Sequence, residues 1–286
     1  MTYLLAVVGK NIHYSKSPFI HSAFGQALGI SVDYSIQDVL ELTFQQKIAQ
    51  LQEAGFFGCN ITVPFKEEAF AMADEVSPRA KAAGAANTFR FDSGGSICAD
   101  NTDGSGFIRD VTRNIGVSLT GKRILICGAG GAIRGILGPL MDEAPSELVI
   151  ANRTLHKNFA IPVSAVIPAA SVIPTASVIP AQAGIQTYES LTHQTFDVVI
   201  DGTSLKTESL PLPASLTLSR DALVYDLKYS PGAPTSIMQW AKTKGAKHIH
   251  DGIGMLVEQA AEAFYFWTGE RPETSLVLAA LKATTS

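Results

Sequence analysis

Residues 121–132 constrain the fold more than any other stretch. A short apolar run over 122–127 leads into Gly128-Ala129-Gly130-Gly131-Ala132, and helical spacing follows. A strand that turns through glycines straight into a helix is the opening of a βαβ unit. The glycines let a ligand approach the backbone. The helix start offers free N–H groups and a partial positive charge, which together suit a pyrophosphate. Gly128 and Gly130 fit the GxGxxG pattern, but Ile133 stands at its third glycine position. Gly135, Gly138 and Pro139 lie within the helix that follows, so a kink or an early end is expected there.

The remaining elements alternate in the same manner. Residues 4–8 read as a buried strand ending at Gly9, followed by a helix over 18–28. A helix over 42–54 stops at Gly55, and a strand over 58–63 is closed by Pro64. Further strands are expected at 148–151, 196–200 and 222–226, and a packed helix at 254–266. Such alternation implies an α/β protein with mostly parallel sheets, and 286 residues suggest two domains.

Composition narrows the functional classes. Twenty-six acidic against 22 basic residues leave a net charge of -4 with no basic block, which disfavours binding to nucleic acid. Cys59, Cys98 and Cys127 form no CxxC pair and fit a reducing cytoplasm; residues 1–10 show no signal-peptide pattern. The six histidines include only a weak His248-x-His250 pair, so no metal is assigned. One segment imitates a membrane span: 158–188 carries no charge. Its isoleucine-preceded prolines, Pro162, Pro168, Pro174 and Pro180, recur every sixth residue and exclude a spanning helix. A low-complexity, extended insertion is the expectation there.

The end of the strand at 148–151 bears on the cofactor. An NAD site places an acid there for the ribose hydroxyls, whereas this chain has Asn152-Arg153-Thr154 and then Lys157. The guanidinium fork of arginine matches a 2′-phosphate, which an acid would repel, so NADP is expected.

In the first half, polar residues gather beside strand ends: Ser15-Lys16-Ser17-Pro18, residues 60–66, Gly84-Ala85-Ala86-Asn87-Thr88 and Asp100-Asn101-Thr102-Asp103-Gly104. Alternation puts Asn60 and Thr62 on one strand face, with Lys66 emerging from the loop beyond. Hydroxyls, amides, one lysine and one aspartate suit a small polyhydroxylated carboxylate. Each also has an ordinary explanation as a helix cap, turn former or surface charge.

With these motifs assembled, the chain resembles the shikimate dehydrogenases of the bacterial biosynthetic type over nearly its whole length. The resemblance rests on Val8-Gly9 with Ile12 and the Ser15–Pro18 motif, residues 60–66, 84–88, 101–104 and 128–132, and Asn152-Arg153-Thr154. Tyr225-Asp226 with Tyr229, and residues 251–256 with Gln259, complete it. It implies an N-terminal substrate domain of residues 1–103 plus 249–286, and a Rossmann-like NADP domain of 104–248 with the insertion at about 159–185. A central cleft between the two would form the active site. The implied activity is NADPH-dependent reduction of 3-dehydroshikimate to shikimate.

The resemblance makes Lys66 and Asp103 the catalytic pair. Ser15, Ser17, Thr62, Asn87, Tyr229 and Gln259 become substrate ligands, and Asn60 joins them, in part as a support. Gly128, Ala129, Gly130, Gly131, Ala132, Asn152, Arg153, Thr154, Lys157, Leu227 and Gly252 become NADP ligands. Asp201-Gly202 departs from the family's more usual Asn-Ala. A small-molecule substrate, no nucleic acid, no membrane and a cytoplasmic location are expected, with homodimerisation left open. The alternatives are a quinate/shikimate dehydrogenase using NAD, and a catalytically silent NADP-binding regulator.

Overall fold

The computed structural model describes residues 1–153, 186–203, 210–229 and 233–285. The Ile-Pro hexads, Thr154 and Lys157 lie outside these residues. The described residues divide into two compact units. One comprises Met1–Arg109, Arg134–Ile136 and Gly254–Thr284; the other draws on Asp110–Ile133 and Leu137–Ile253.

The first unit begins with β1 (Thr2–Gly9), α1 (Ser17–Leu28), β2 (Ser31–Asp38), α2 (Phe44–Glu53) and β3 (Gly58–Ile61). It continues with α3 (Lys66–Met72), β4 (Glu75–Val76), α4 (Pro78–Ala83), β5 (Thr88–Phe91), β6 (Ile97–Asp100) and α5 (Asp103–Arg109). Its sheet has the order β2-β1-β3-β5-β6-β4. β1 lies parallel to β2 and β3, whereas β5 runs antiparallel to both β3 and β6. The β5–β6 hairpin departs from the expected mostly parallel pattern. Its turn is set locally: Asp92 N–H donates to Ser96 O at 3.0 Å, and Gly95 adopts a φ of +85°.

β1 is apolar from Leu4 to Val8, where both faces of the sheet are covered. Ala6 and Val8 pack with Phe44, Ile48 and Phe65 on one side. Leu5 and Val7 pack with Tyr34, Ala263 and Trp267 on the other. Trp267 belongs to α8 (Ile253–Thr268), so the C-terminal part of the chain completes the first sheet's cover. Gly58 makes room for it: a Cβ there would lie 2.3 Å from Phe89 O and 2.6 Å from Trp267 Nε1. The indole N–H donates to Phe89 O at 2.8 Å.

In the second unit, β7 (Arg123–Cys127), β8 (Glu147–Ala151), β9 (Thr195–Asp201), β10 (Thr217–Asp226) and β11 (His248–His250) form a sheet in the order β11-β10-β9-β7-β8. All its pairings are parallel. The chain steps from β7 to β8 on one side and then to β9 on the other. The order therefore reverses at β7, and the crevice at the carboxyl end of such a strand is where α/β sheets bind ligands. α6 (Gly131–Asp142) follows at once and continues through Pro139, so the helix does not end early. α7 (Ser236–Thr243) packs on this sheet through Ile237 and Ala241, and α9 (Ser275–Thr285) closes the described chain. Among the described residues, no helix is long and apolar enough to cross a membrane.

Candidate active site

Lys66 and Asp103 are brought together by two turns at strand ends. After β3, Thr62 N–H donates to Val8 O and Phe65 N–H donates back to Thr62 O, each at 3.0 Å. This turn contains the cis Val63–Pro64 peptide, and Lys66 opens α3 instead of standing in a loop. Ala86 N–H donates to Lys66 O at 2.8 Å. Asp103 opens α5; its N–H donates to Asn101 Oδ1 at 3.2 Å, and Asn101 Nδ2 donates to Ala85 O at 2.9 Å. Both residues are thus tied to the segment that links α4 to β5. Lys66 Nζ donates to Asp103 Oδ2 at 2.5 Å, with the side chains 13% and 6% exposed. The result is an ammonium held in one place by a buried carboxylate, which is what a positioned proton donor requires.

Asn87 lies at the centre of the surrounding polar groups. Its Oδ1 accepts from Thr102 N–H and from the Thr88 hydroxyl, both at 2.9 Å. A backbone N–H can only donate, so the amide orientation is fixed, and Nδ2 donates to Asp103 Oδ1 at 2.9 Å. Gln259 Oε1 accepts from Asn87 Nδ2 at 3.3 Å, while Gln259 Nε2 donates to Leu256 O at 3.0 Å. Gly106 allows this approach of α8, because a Cβ there would sit 2.6 Å from Gln259 Cβ.

Asn60 is placed differently. Its Oδ1 accepts from the Tyr34 hydroxyl at 2.7 Å, and its Nδ2 donates to Thr88 Oγ1 at 3.0 Å and Asn87 O at 3.3 Å. Both ends of the amide are engaged by protein groups, as in a supporting residue. Ser15 and Ser17 bond to one another at 3.2 Å at the start of α1. Thr62 sits in the turn before Lys66, and Tyr229 follows β10 in the second unit.

Sequence reasoning did not single out Tyr34, Thr88 or Thr102. The last two lie within quoted motifs; Tyr34 sits in the alternation Val32-x-Tyr34-x-Ile36, a signal that could have marked it as facing the core. Nor did it find the ion network behind the site. Arg79 joins Asp100, Ser105 and Glu262, and Arg271 also pairs with Glu262. Burial pushes the Asp100 carboxyl up, but the Arg79 guanidinium outweighs it and holds the group below its ordinary value.

In the second unit, Gly128 has a φ of +99°, a conformation natural to glycine, and its N–H donates to Ala151 O at 2.8 Å. Gly130 caps α6 without a side-chain bond, and a Cβ on Gly130 or Gly131 would enter open space. Uncapped N–H groups beside this open space fit a diphosphate. Gly252 is required by close approach: a Cβ there would lie 2.2 Å from Leu227 O. Asn152 N–H donates to Gln186 O at 3.0 Å, and Arg153 is exposed just beyond β8. Gly202 faces Ile133, whose Cδ1 would lie 2.3 Å from an added Cβ. The absent third glycine and the Asp-Gly departure are therefore one packing arrangement. Burial raises the Asp226 carboxyl to about 6.

A parallel sheet with a glycine turn at its switch point, joined in one chain to an α/β unit holding a lysine on a buried aspartate, defines a two-unit dinucleotide-dependent oxidoreductase. A family model described as the shikimate dehydrogenase substrate binding domain matches residues 7–89, and one for the shikimate 5'-dehydrogenase C-terminal domain matches 252–282. The shikimate dehydrogenase (NADP(+)) of Methylobacillus flagellatus is 47% identical over 281 residues, covering 97% of this chain and 98% of its own. An Ael1 enzyme from Pseudomonas putida has a crystal structure 39% identical with a TM-score of 0.83, covering 98% of both chains. The Thermus thermophilus shikimate 5-dehydrogenase, solved with NADP(H) and shikimate, is 28% identical with a TM-score of 0.80, covering 99% of both. The chain belongs to the shikimate dehydrogenase family.

Proposed function

We propose that this chain catalyses the reversible NADPH-dependent reduction of 3-dehydroshikimate to shikimate, a step towards chorismate and the aromatic amino acids. The observation that carries the reading is the Lys66–Asp103 pair, 2.5 Å apart with Asp103 buried and Lys66 partly so, in a chain 47% identical to an NADP-dependent relative. When bound, NADPH supplies the hydride. Lys66 Nζ gives a proton to the ketone oxygen as negative charge develops there, and solvent then restores the ammonium. In the oxidative direction, neutral Lys66 accepts the proton of the alcohol. Asp103 keeps the nitrogen in place. Asn87 and Gln259, with Ser15, Ser17, Thr62 and Tyr229, hold the carboxylate and ring hydroxyls. A substrate lacking one such hydroxyl leaves a buried partner unpaired and is rejected.

Gly128 to Ala132, with Leu227 and Gly252, hold the dinucleotide, and Asn152 and Arg153 take its 2′-phosphate. The test follows nicotinamide absorbance with shikimate or quinate and NADP+ or NAD+. Turnover with shikimate and NADP+ is expected to exceed the other combinations, and Lys66→Ala to lower kcat about 10²–10⁴-fold with little change in KM. Absence of shikimate oxidation by a folded protein that binds NADP+ overturns the reading in favour of a silent regulator.

A further inference from the structure

The catalytic pair stands at one end of an unbroken line of buried polar side chains. Tyr34 O–H donates to Asn60 Oδ1 at 2.7 Å, and Asn60 Nδ2 donates to Thr88 Oγ1 at 3.0 Å. Thr88 O–H donates to Asn87 Oδ1 at 2.9 Å, Asn87 Nδ2 donates to Asp103 Oδ1 at 2.9 Å, and Asp103 Oδ2 holds Lys66 Nζ. Tyr34, Asn60, Thr88, Asn87 and Asp103 are all buried.

The sheet explains how the line forms. Asn60 on β3 and Thr88 on β5 are directly paired positions, so their side chains share a face. Tyr34, on β2, reaches the same face across β1. The phenol has little freedom: its ring stacks on His21 with centroids 4.5 Å apart and planes 4° from parallel. Burial keeps that imidazole neutral and pushes the phenol well above its ordinary value, so the phenol retains the proton it donates.

We infer that Tyr34 and Thr88 are positioning residues for the proton transfer: their hydroxyls fix the Asn60 amide and, beside Thr102, hold in place the Asn87 amide that aims the Asp103 carboxylate at Lys66. The direction of every bond supports this role. Asn87 O accepts from Asn60, so a flipped Asn60 would set an oxygen against that carbonyl. Thr88 is the joint, accepting from one amide and donating to the other. Without its hydroxyl, Asn60 Nδ2 keeps only its longer bond to Asn87 O, and Asn87 Oδ1 loses one of its donors. Within a buried network each unmade bond is costly, and the slack is passed to Asp103.

This inference rests on the proposed reaction, and the experiment separates the two. Thr88→Val, Thr88→Ser, Tyr34→Phe and the Thr88→Val/Tyr34→Phe double variant are compared with wild type for kcat, shikimate KM and thermal midpoint. Thr88→Val is expected to lower kcat about tenfold for one lost bond. Thr88→Ser, which keeps the hydroxyl, is expected to recover most of that loss. Tyr34→Phe lowers kcat similarly. The double variant is expected to be no slower than the worse single, because both break one line. Ser17 faces the phenol and Asn87 bonds Thr88, and both are placed against the substrate, so kcat and its recovery in Thr88→Ser carry the criterion. Wild-type kcat in folded Thr88→Val, failure of Thr88→Ser to recover, or multiplying losses in the double variant each overturn the relay. If Thr88→Val does not fold, Tyr34→Phe at wild-type kcat does so alone. A wild-type protein inert towards shikimate overturns the reaction itself.

Discussion

Replacing Asp103 by asparagine tests whether the pair works as described. The carboxylate uses both oxygens: Oδ2 receives Lys66 Nζ at 2.5 Å and Oδ1 receives Asn87 Nδ2 at 2.9 Å. An asparagine of the same shape has only one oxygen. Whichever way it turns, its NH2 group meets either the ammonium or the Asn87 amide nitrogen, and two donors face each other. The lost charge-assisted bond is worth about 1.5–3 kcal/mol, and breaking a buried ion pair costs about 3–5 kcal/mol. Because the Lys66 side chain retains 13% exposure, the lower end applies, about 3 kcal/mol. That corresponds to a fall in thermal midpoint of about 6–12 °C in a protein of this size. With the ammonium no longer held, kcat should drop about 10²-fold. Circular dichroism melts and steady-state rates provide the measurements. Lys66→Met supplies the control: in that background the asparagine should cost far less, giving a coupling of at least about 1.5 kcal/mol. Additive losses, or a single variant within threefold of wild-type kcat, would show that the two side chains act separately.

Arg153→Asp should raise the KM for NADPH far more than that for NADH, and equal effects would remove Arg153 from 2′-phosphate recognition. Burial lowers the His21 imidazole from 6.5 to about 3, so between those values the unfolded chain binds a proton that the folded chain refuses. Stability is therefore present above pH 6.5 and is lost as pH falls, by about 2 kcal/mol between pH 7 and 5. Urea midpoints of His21→Phe should fall less over that range than those of wild type; an identical fall would place the sensitivity elsewhere. Gly202→Ala should cost about 1–3 kcal/mol by driving a methyl into Ile133. Ile133→Ala should relieve part of that cost, and strict additivity of the two changes would refute the clash.

The glycine turn and the parallel strands around it were legible because their signals are local, an apolar run followed at once by glycines. The β5–β6 hairpin was not, since strands of four residues carry too little alternation to separate them from loops. Lys66 and Asp103 were nameable through motifs, yet 37 positions separate them, and only the turn after β3 and the start of α5 place their charges in contact. Helical spacing marked α8 as a packed helix. It did not reveal that Phe264 and Trp267 are buried while Tyr265 is 49% exposed. Tyr34 was missed for a different reason. β2 alternates, with Val32, Tyr34 and Ile36 on one face, but that pattern gives only the face; the burial of Tyr34 is completed by the neighbouring His21 of α1 and Trp267 of α8, both distant in sequence. Gly202 looked like an unexplained departure until the neighbouring Ile133 accounted for it.

α8 has a consequence for how such a chain comes into being. It covers the first sheet with Trp267 and brings Gln259 to Asn87, yet it follows every strand of both sheets in the chain. The five parallel strands of the second unit all emerge before it, so the unit synthesised later can settle first while the earlier one waits with one face of its sheet lacking α8. Assembly then runs in the reverse order of synthesis, and nascent chains stalled before Ile253 should remain open to protease across their first hundred or so residues.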